Sequence, residues 1–199
     1  AYLNVSTVFS SLRRPEEMKR YIDKMLGLLP KLKNNYNQVT VLSAAANSYA
    51  EFSETTPEFG DSAILYAEAG LKLAYTHQIW NKYAELLIAE GNVYLLRKSY
   101  ETGIEFYKES LLYREHLRGV VVYNAMMGLQ IAYQELGQLQ LSECYLDSMK
   151  METNAQDYAT YRMEIMEASY ELYKRMGDTR RALVALEEFK QLQDSLVSV

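Results

Sequence analysis

The sequence predicts an all-α fold built from antiparallel helix pairs, and three observations carry that prediction. The chain of 199 residues contains only 9 Gly and 3 Pro, too few turn formers for a sandwich or barrel of short strands. Apolar residues recur at the three- and four-residue spacing of amphipathic helices, without sustained strand-like alternation. A tyrosine and a small residue also recur together about every 40 residues, which indicates a helical repeat.

The repeat is defined by a small residue in the second helix of each pair. These residues are spaced 40, 39 and 40 positions apart: Ala63, Gly103, Ser142 and Ala182. Each is preceded by a tyrosine in the first helix: Tyr49, Tyr94, Tyr133 and Tyr173. A small residue lets two helices cross at the usual separation of about 8–10 Å. We expect the tyrosine rings to fill the space between neighbouring helix pairs.

In chain order, we expect one domain over residues 1–199 that contains a partial repeat and four complete ones. The predicted repeats are 1–34 (partial), 36–77, 79–117, 119–152 and 155–198. Within the partial repeat, Pro15 suits the first turn of a helix, and Pro30 stands where that helix should end.

Turn residues mark the boundaries in the complete repeats. Pro57, inside the insertion 54–58, suits the first turn of a second helix. Gly137 and Gly177 are predicted to end the first helices of the last two repeats, and Asp178 to cap the helix that follows.

The unit over residues 86–111 resembles the tetratricopeptide repeat (TPR) family. It has Gly91 in the first helix, Tyr94 three residues later, and a small–aromatic–small series in the second helix at Gly103, Tyr107 and Ser110. The resemblance covers residues 15–193 and implies a TPR-like α-α superhelix, a right-handed solenoid of antiparallel helix hairpins. The period exceeds the usual 34 residues.

Two residues depart from the TPR pattern. Gln130 and Tyr170 occupy the tight first-helix position that Gly91 holds in its own repeat. We therefore expect those two hairpins to be splayed or offset.

The last repeat is similar to the segment that closes the TPR sensor regions of bacterial membrane-anchored histidine kinases and transcription regulators. The matching residues are Gly177, Asp178, Ala182, Leu183, Phe189, Lys190 and then Asp194, Ser195 and Leu196. This resemblance implies a fragment of a longer protein, with a periplasmic or extracytoplasmic location. Without it, the expected location is the cytoplasm.

Little in the composition supports catalysis. The chain has 2 His and 1 Cys, and it contains no glycine-rich phosphate loop, no G-x-S-x-G and no H-E-x-x-H. We expect no enzyme activity, no cofactor and no metal. His77 and His116 are interpreted as packing or helix-end residues, and Cys144 as a buried, inert thiol. The net charge of −5 disfavours nucleic acid as a partner. No apolar run is long enough to span a membrane, and we expect no membrane contact by this segment itself.

The resemblance implies that the first helix of each repeat lines a concave groove that binds a protein or peptide. The repeat frame places the following residues there: Thr40, Ser43, Asn47, Glu51, Glu85, Ile88, Asn92, Asn124, Met127, Ile131, Glu135, Glu164, Glu167 and Glu171. Asn47 and Asn92 are equivalent, and the resemblance implies that such an asparagine hydrogen-bonds a peptide backbone. The acidic last part favours a partner with a basic end.

Two functions of different classes remain open. The first is a non-enzymatic sensor or regulatory region of a bacterial signal-transduction protein, either a two-component kinase or a transcription regulator. The alternative is a cytoplasmic TPR scaffold or assembly factor that holds a protein partner. Either function is compatible with a homodimer. A further interpretation is that the groove residues are simply solvated and bind no partner.

Overall fold

The computed structural model describes residues 14–154 and 159–197, and these residues form nine α-helices and no strand. The helices are α1 (Pro15–Leu26), α2 (Asn35–Ala50), α3 (Pro57–Thr76), α4 (Trp80–Leu96), α5 (Tyr100–Leu111), α6 (Gly119–Glu135), α7 (Leu139–Asn154), α8 (Ala159–Arg175) and α9 (Thr179–Val197). Two short 3₁₀ turns lie at Leu29–Lys31 and Arg114–His116. The all-α prediction is confirmed.

The helices group into two compact units whose boundary lies inside α6, between Val121 and Val122. In the first unit, α2 pairs with α3 and α4 with α5, while α1 packs on α2. In the second unit, α8 pairs with α9, and α7 packs on α8. The single domain over 1–199 stays a prediction. The start of the partial repeat (1–13) and residues 155–158 of the last repeat lie outside the described residues.

The first unit has a continuous core because the apolar faces of four helices meet there. Met18 and Ile22 of α1 are fully buried against α2 and α3, where Tyr49 and Phe59 pack edge to face with centroids 5.1 Å apart. Burial of the α1 side chains explains why a lone helix stays attached to a series of pairs.

A close helix approach in the first unit joins α4 and α5. A Cβ built on Gly103 would lie 3.3 Å from the carbonyl oxygen of Gly91, and a Cβ on Gly91 would lie 2.8 Å from the ring of Tyr107. Tyr107 is fully buried, so its ring occupies the space that a larger side chain at position 91 would need. The small residues predicted from the repeat therefore have a steric reason.

The repeat tyrosines pack differently from the expectation. The rings of Tyr49, Tyr133 and Tyr173 are buried, but Tyr94 is only half-buried. Tyr94 stacks on Phe106 at 5.4 Å, and Tyr133 stacks on Tyr145 at 5.7 Å. Both partners belong to the second helix of the same pair, so these two stacking contacts lie within a hairpin. The stacking partner stands 12 residues later in both cases.

Gln130, which replaces the small residue of the TPR pattern in α6, does not separate α6 from α7. Gln130 is buried, and its Nε2 donates to the hydroxyl of Ser142 at 3.0 Å. The same Ser142 hydroxyl donates to the backbone carbonyl of Gln130 at 3.0 Å. Because a side chain as short as serine reaches the opposite backbone, the helices stay close here, and the predicted splay at this hairpin is wrong. A hydrogen-bonded pair takes the place of two glycines.

The turns after the first helices need left-handed backbone. Gly137 and Gly177 have φ values of +73° and +76°, as their predicted role at the helix end requires. The backbone N–H of Arg181 donates to Oδ1 of Asp178 at 3.0 Å, which confirms Asp178 as the helix cap. In the predicted repeat 79–117 the equivalent turn residue is Lys98, with φ of +60°.

The contact between Gly91 and Gly103 generates a stability prediction. Gly103→Leu should lower the free energy of unfolding by about 1–3 kcal/mol, because the new side chain must push α5 away from the backbone of α4. The change is measured by thermal or urea unfolding followed by circular dichroism. Glu105→Leu on the exposed side of α5 is the control and should cost little. Equal losses for the two variants would contradict the proposed steric contact.

Candidate functional site

The predicted site residues of the first unit lie along α2 and α4. The two helices are joined by a hydrogen bond from the Ser43 hydroxyl to Oε2 of Glu85 at 3.3 Å. The same carboxylate oxygen pairs with Nζ of Lys82 at 2.5 Å. The structure thus brings the residues from two repeats onto one face, which we call the α2/α4 face.

Several polar groups of the α2/α4 face are already engaged. The Thr40 hydroxyl donates to the carbonyl of Tyr36 at 2.8 Å, and Nδ2 of Asn47 donates to the carbonyl of Ser43 at 2.8 Å. Oδ1 of Asn92 accepts a 2.7 Å hydrogen bond from the hydroxyl of Tyr107. The two asparagines predicted to be equivalent therefore have different partners, and each makes a bond within the chain.

Two predicted contact residues of the first unit are too buried to meet a partner. Ile88 is 4% exposed and Ser43 is 2% exposed. The repeat frame assigned both to the surface because it counts positions along a helix and does not include the packing of α2 against α4. Glu51 is exposed at the end of α2, while Thr40, Asn47, Glu85 and Asn92 are half-buried.

The predicted residues of the second unit form a more open surface on α6 and α8, the α6/α8 face. Two contacts hold these helices together: the Tyr123 hydroxyl donates to Oε2 of Glu164 at 2.8 Å, and Arg175 pairs with Glu135 at 2.6 Å. Met127 is half-buried, and the exposed members of the set are Asn124, Ile131, Glu135, Glu164, Glu167 and Glu171.

The charge of the α6/α8 face is unevenly neutralised. Glu135 is paired with Arg175, and Glu171 lies 3.9 Å from Lys174. The Glu164 carboxylate accepts a hydrogen bond from the neutral hydroxyl of Tyr123, and burial together with this hydrogen bond raises the pKa of that tyrosine. Among the described residues, Glu167 makes no ion pair. Exposed apolar groups beside exposed carboxylates are suited to a basic, partly apolar partner.

The described residues contain no group of three or more His, Cys, Asp or Glu side chains that could hold a metal ion. His77 follows α3 as its C-cap residue, with its Nδ1 3.2 Å from Nδ2 of Asn35, and His116 lies in a 3₁₀ turn. Cys144 is exposed on α7, so the expectation of a buried thiol is wrong. Tyr145 and Leu146 turn inward at that point of the helix, which leaves Cys144 outside. None of the helices described is long and apolar enough to span a membrane.

Sequence reasoning missed Glu90, a carboxylate inside the first unit. The residue is 4% exposed, and its Oε1 has no hydrogen-bond partner within the described ranges 14–154 and 159–197. Burial, with the nearby carboxylates of Glu68 and Glu109, raises the pKa of Glu90 to about 7. A signal existed in the sequence, because Glu90 stands four residues after Leu86 and three before Val93, on the apolar face of α4.

Comparison with solved structures supports the fold. BtubC (BKLC) from P. vanneervenii superposes with a TM-score of 0.76 at 14% identity, over 98% of this chain and 80% of that chain. A putative kinesin light chain with nearly identical TPR-like repeats from Podosopora anserina gives 0.71 at 12% identity, over 98% of this chain and 94% of that one.

A point variant of the same Podosopora anserina protein gives a TM-score of 0.74 at 12% identity, over 100% of this chain and 95% of that one. No protein-family model and no curated protein sequence matches this chain. The structural likeness shows a TPR-like fold, which confirms that part of the resemblance read from the sequence.

The buried carboxylate predicts a pH-dependent stability. A carboxyl whose pKa is raised in the folded state binds its proton more tightly there than in the unfolded chain. Glu90 therefore lowers the free energy of unfolding very little below its unfolded pKa near 4.5, where it is protonated in both states. The loss grows as the pH rises and is largest above about pH 7. Glu90→Gln should raise the free energy of unfolding by about 1–3 kcal/mol more at pH 8 than at pH 5.

Urea unfolding at both pH values measures this difference. The control is Glu105→Gln, an exposed change on α5, which should shift stability equally at the two pH values. A Glu90→Gln effect that is the same at pH 5 and pH 8 would contradict the raised pKa of Glu90.

The bond between Tyr107 and Asn92 predicts coupled effects of their substitution. Asn92→Ala should cost about 1–2 kcal/mol, because it leaves the hydroxyl of a buried tyrosine without its acceptor. In a Tyr107→Phe background the same change should cost less, since the hydroxyl is already gone. Urea unfolding of the four proteins in this double-mutant cycle gives the coupling, and strict additivity would refute it.

Proposed function

We propose that this chain is a non-enzymatic module that binds a protein or peptide, and that the α6/α8 face is its contact surface. The observation that carries the proposal is the exposed combination of Ile131 with the carboxylates of Glu164 and Glu167. The fold supports the proposal as well, since arrays of helix pairs present extended surfaces to partners.

The partner best suited to the α6/α8 face carries Lys or Arg next to apolar side chains. Attraction between exposed charges weakens beyond about 8–10 Å at physiological ionic strength, so it acts mainly on the rate of encounter. The apolar contact with Ile131 and Met127 would then limit dissociation. The α2/α4 face is the weaker candidate because its polar groups already form hydrogen bonds within the chain.

At a finer level, we propose that the module is the sensor or regulatory region of a bacterial signal-transduction protein. The support is the closing segment from Gly177 to Leu196, with its resemblance to the sensor regions of membrane-anchored kinases and transcription regulators. Partner binding would bias the packing of one helix pair on the next and so alter the last helix. In this role the module would be extracytoplasmic.

The alternative is a cytoplasmic scaffold that holds its partner constitutively. The sequence of the whole gene separates the two. A secretion signal upstream together with a membrane helix downstream supports the sensor, while a reading frame confined to this segment supports the scaffold. A homodimer through the α6/α8 face is a third arrangement, and sedimentation of the purified chain at several concentrations would detect it.

Binding through the α6/α8 face is tested by charge reversal. Peptides selected from a random display library on the wild-type chain should be rich in Lys and Arg. Their association with a Glu164→Lys, Glu167→Lys double variant should be at least about tenfold slower at low salt, because attraction becomes repulsion. Surface plasmon resonance at two salt concentrations measures these rates.

The matched control is Glu101→Lys with Glu105→Lys, which makes the same change in net charge on the exposed side of α5. It should slow association only slightly. If the control slows binding as much as the α6/α8 variant, the effect is one of net charge, and the proposed contact surface is wrong.

A further inference from the structure

The second unit contains a cleft that the proposed contact surface does not use. It lies between α7 and α9, with α8 as its floor, and encloses a cavity of about 580 Å³. The floor is formed by Met166, Ser169 and Tyr173 of α8, and the α9 wall contributes Val184 and Ala185. A volume of this size is typical of sites for small organic molecules.

The cleft continues along α8 and α9. A second cavity of about 480 Å³ shares Met166 and Glu188 with the first and adds Arg162 and Leu192 to the lining. Because the two cavities share lining residues from both helices, they form one elongated depression with an apolar strip along it. A ligand with an extended apolar body would fit such a shape.

Basic side chains surround Tyr173 at one end of the cleft. Nζ of Lys150 lies 3.3 Å from the hydroxyl of Tyr173 and 3.3 Å from Oδ1 of Asp147, with which it forms an ion pair. Cζ of Arg181 lies 4.3 Å from the centre of the Tyr173 ring. Arg181 is fixed from the other side by Asp178, at 2.6 Å, and by Glu143. These contacts hold two cationic groups in place before any ligand arrives.

Arg180 supplies a cation that is not neutralised by any described carboxylate. It lines the same cavity and, within the part of the chain that the structure describes, its guanidinium makes no ion pair or hydrogen bond. The nearby carboxylate of Asp178 is already taken, since the backbone N–H and the guanidinium of Arg181 donate to it and hold its pKa below the usual range. The remaining carboxylate in the lining is Glu188.

This cluster of basic side chains contrasts with the composition of the segment. Residues 122–199 contain 7 Lys and Arg against 12 Asp and Glu. Three of those cations, Lys150, Arg180 and Arg181, line the first cavity, and Arg162 lines the second. An acidic unit that gathers its cations around an apolar cleft is suited to an anion that also has an apolar part.

We propose that this cleft binds a small organic anion with an apolar body, such as an aryl or acyl carboxylate or sulfonate. The anionic group pairs with Arg180, and the apolar body lies on Met166 and Val184. Lys150, already paired with Asp147, adds to the attraction for the anion. Val184 is 50% exposed in the unliganded cleft and would be covered by the ligand. Because α7, α8 and α9 all contribute to the lining, the ligand would connect three helices at once.

Two fluorescent probes with the same apolar body separate the two parts of the proposal. 8-Anilinonaphthalene-1-sulfonate carries an anionic group, and N-phenyl-1-naphthylamine lacks it. Titration of the full chain with the sulfonate should saturate at one site, with a dissociation constant at least about tenfold lower than that of the neutral probe, a difference of about 1.4 kcal/mol. Equal affinities, or no saturable binding of the sulfonate, would overturn the proposal.

Neighbouring residues on α9 provide a matched pair of variants. Val184→Glu places a negative charge in the cleft, whereas Leu183→Glu makes a comparable change at a residue that is 53% exposed and lies outside the cavity lining. The first should weaken sulfonate binding about tenfold or more, and the second should leave it within about twofold. Equal effects would place the probe elsewhere on the protein and overturn the proposal.

A third variant tests the charge without altering the apolar strip. Arg180→Gln should weaken the sulfonate severalfold and leave the neutral probe unchanged, and circular dichroism should show an unaltered fold because Arg180 is exposed. Loss of both probes in this variant, or of neither, would contradict the assigned role of Arg180. Peptide binding at the α6/α8 face serves as a separate readout, since none of these variants touches it.

Discussion

The approach of two helix backbones within a hairpin is the constraint on which the remaining structure depends. In α4 and α5 it is made by Gly91 and Gly103, with the ring of Tyr107 laid over the first glycine. The equivalent positions of α6 and α7 are occupied by Gln130 and Ser142. These residues keep the two helices close through two hydrogen bonds, where α4 and α5 rely on the absence of side chains. Both solutions keep the two helices of a pair close together.

The charged side chains of this protein differ in whether an opposite charge neutralises them. Among the residues that the structure describes, Oε1 of the buried Glu90 has no hydrogen-bond partner and the exposed Glu167 makes no ion pair, whereas Arg181 pairs with two carboxylates. A buried carboxylate without a cation opposes folding at neutral pH. The unfavourable free energy of burying Glu90 is offset by the apolar packing of α4. Such a cost is tolerable because the neighbouring Leu86, Leu87 and Ala89 are almost completely buried.

The fold class, the hairpin order and the turn glycines could be predicted because each depends on local periodicity or on a backbone conformation that few residues adopt. Burial at single positions could not. Ile88 and Ser43 are covered by a neighbouring helix, and Cys144 is exposed because the residues that follow it take the inward positions of α7. The cleft around Tyr173 was equally hidden, since Lys150 and Arg181 are far apart in sequence and meet only through the packing of α7, α8 and α9.

The chain has one tryptophan, and its surroundings give the protein a built-in optical reporter. Trp80 stacks on Tyr113 at 5.3 Å and contacts Tyr75 and Tyr83, all in the first unit. The segment from 122 to 199 contains tyrosine but no tryptophan. Selective excitation of the indole therefore follows the first unit alone, while far-ultraviolet dichroism follows both. Superimposable unfolding curves from the two signals would mean that the units melt as one cooperative block, and displaced curves that they melt in succession.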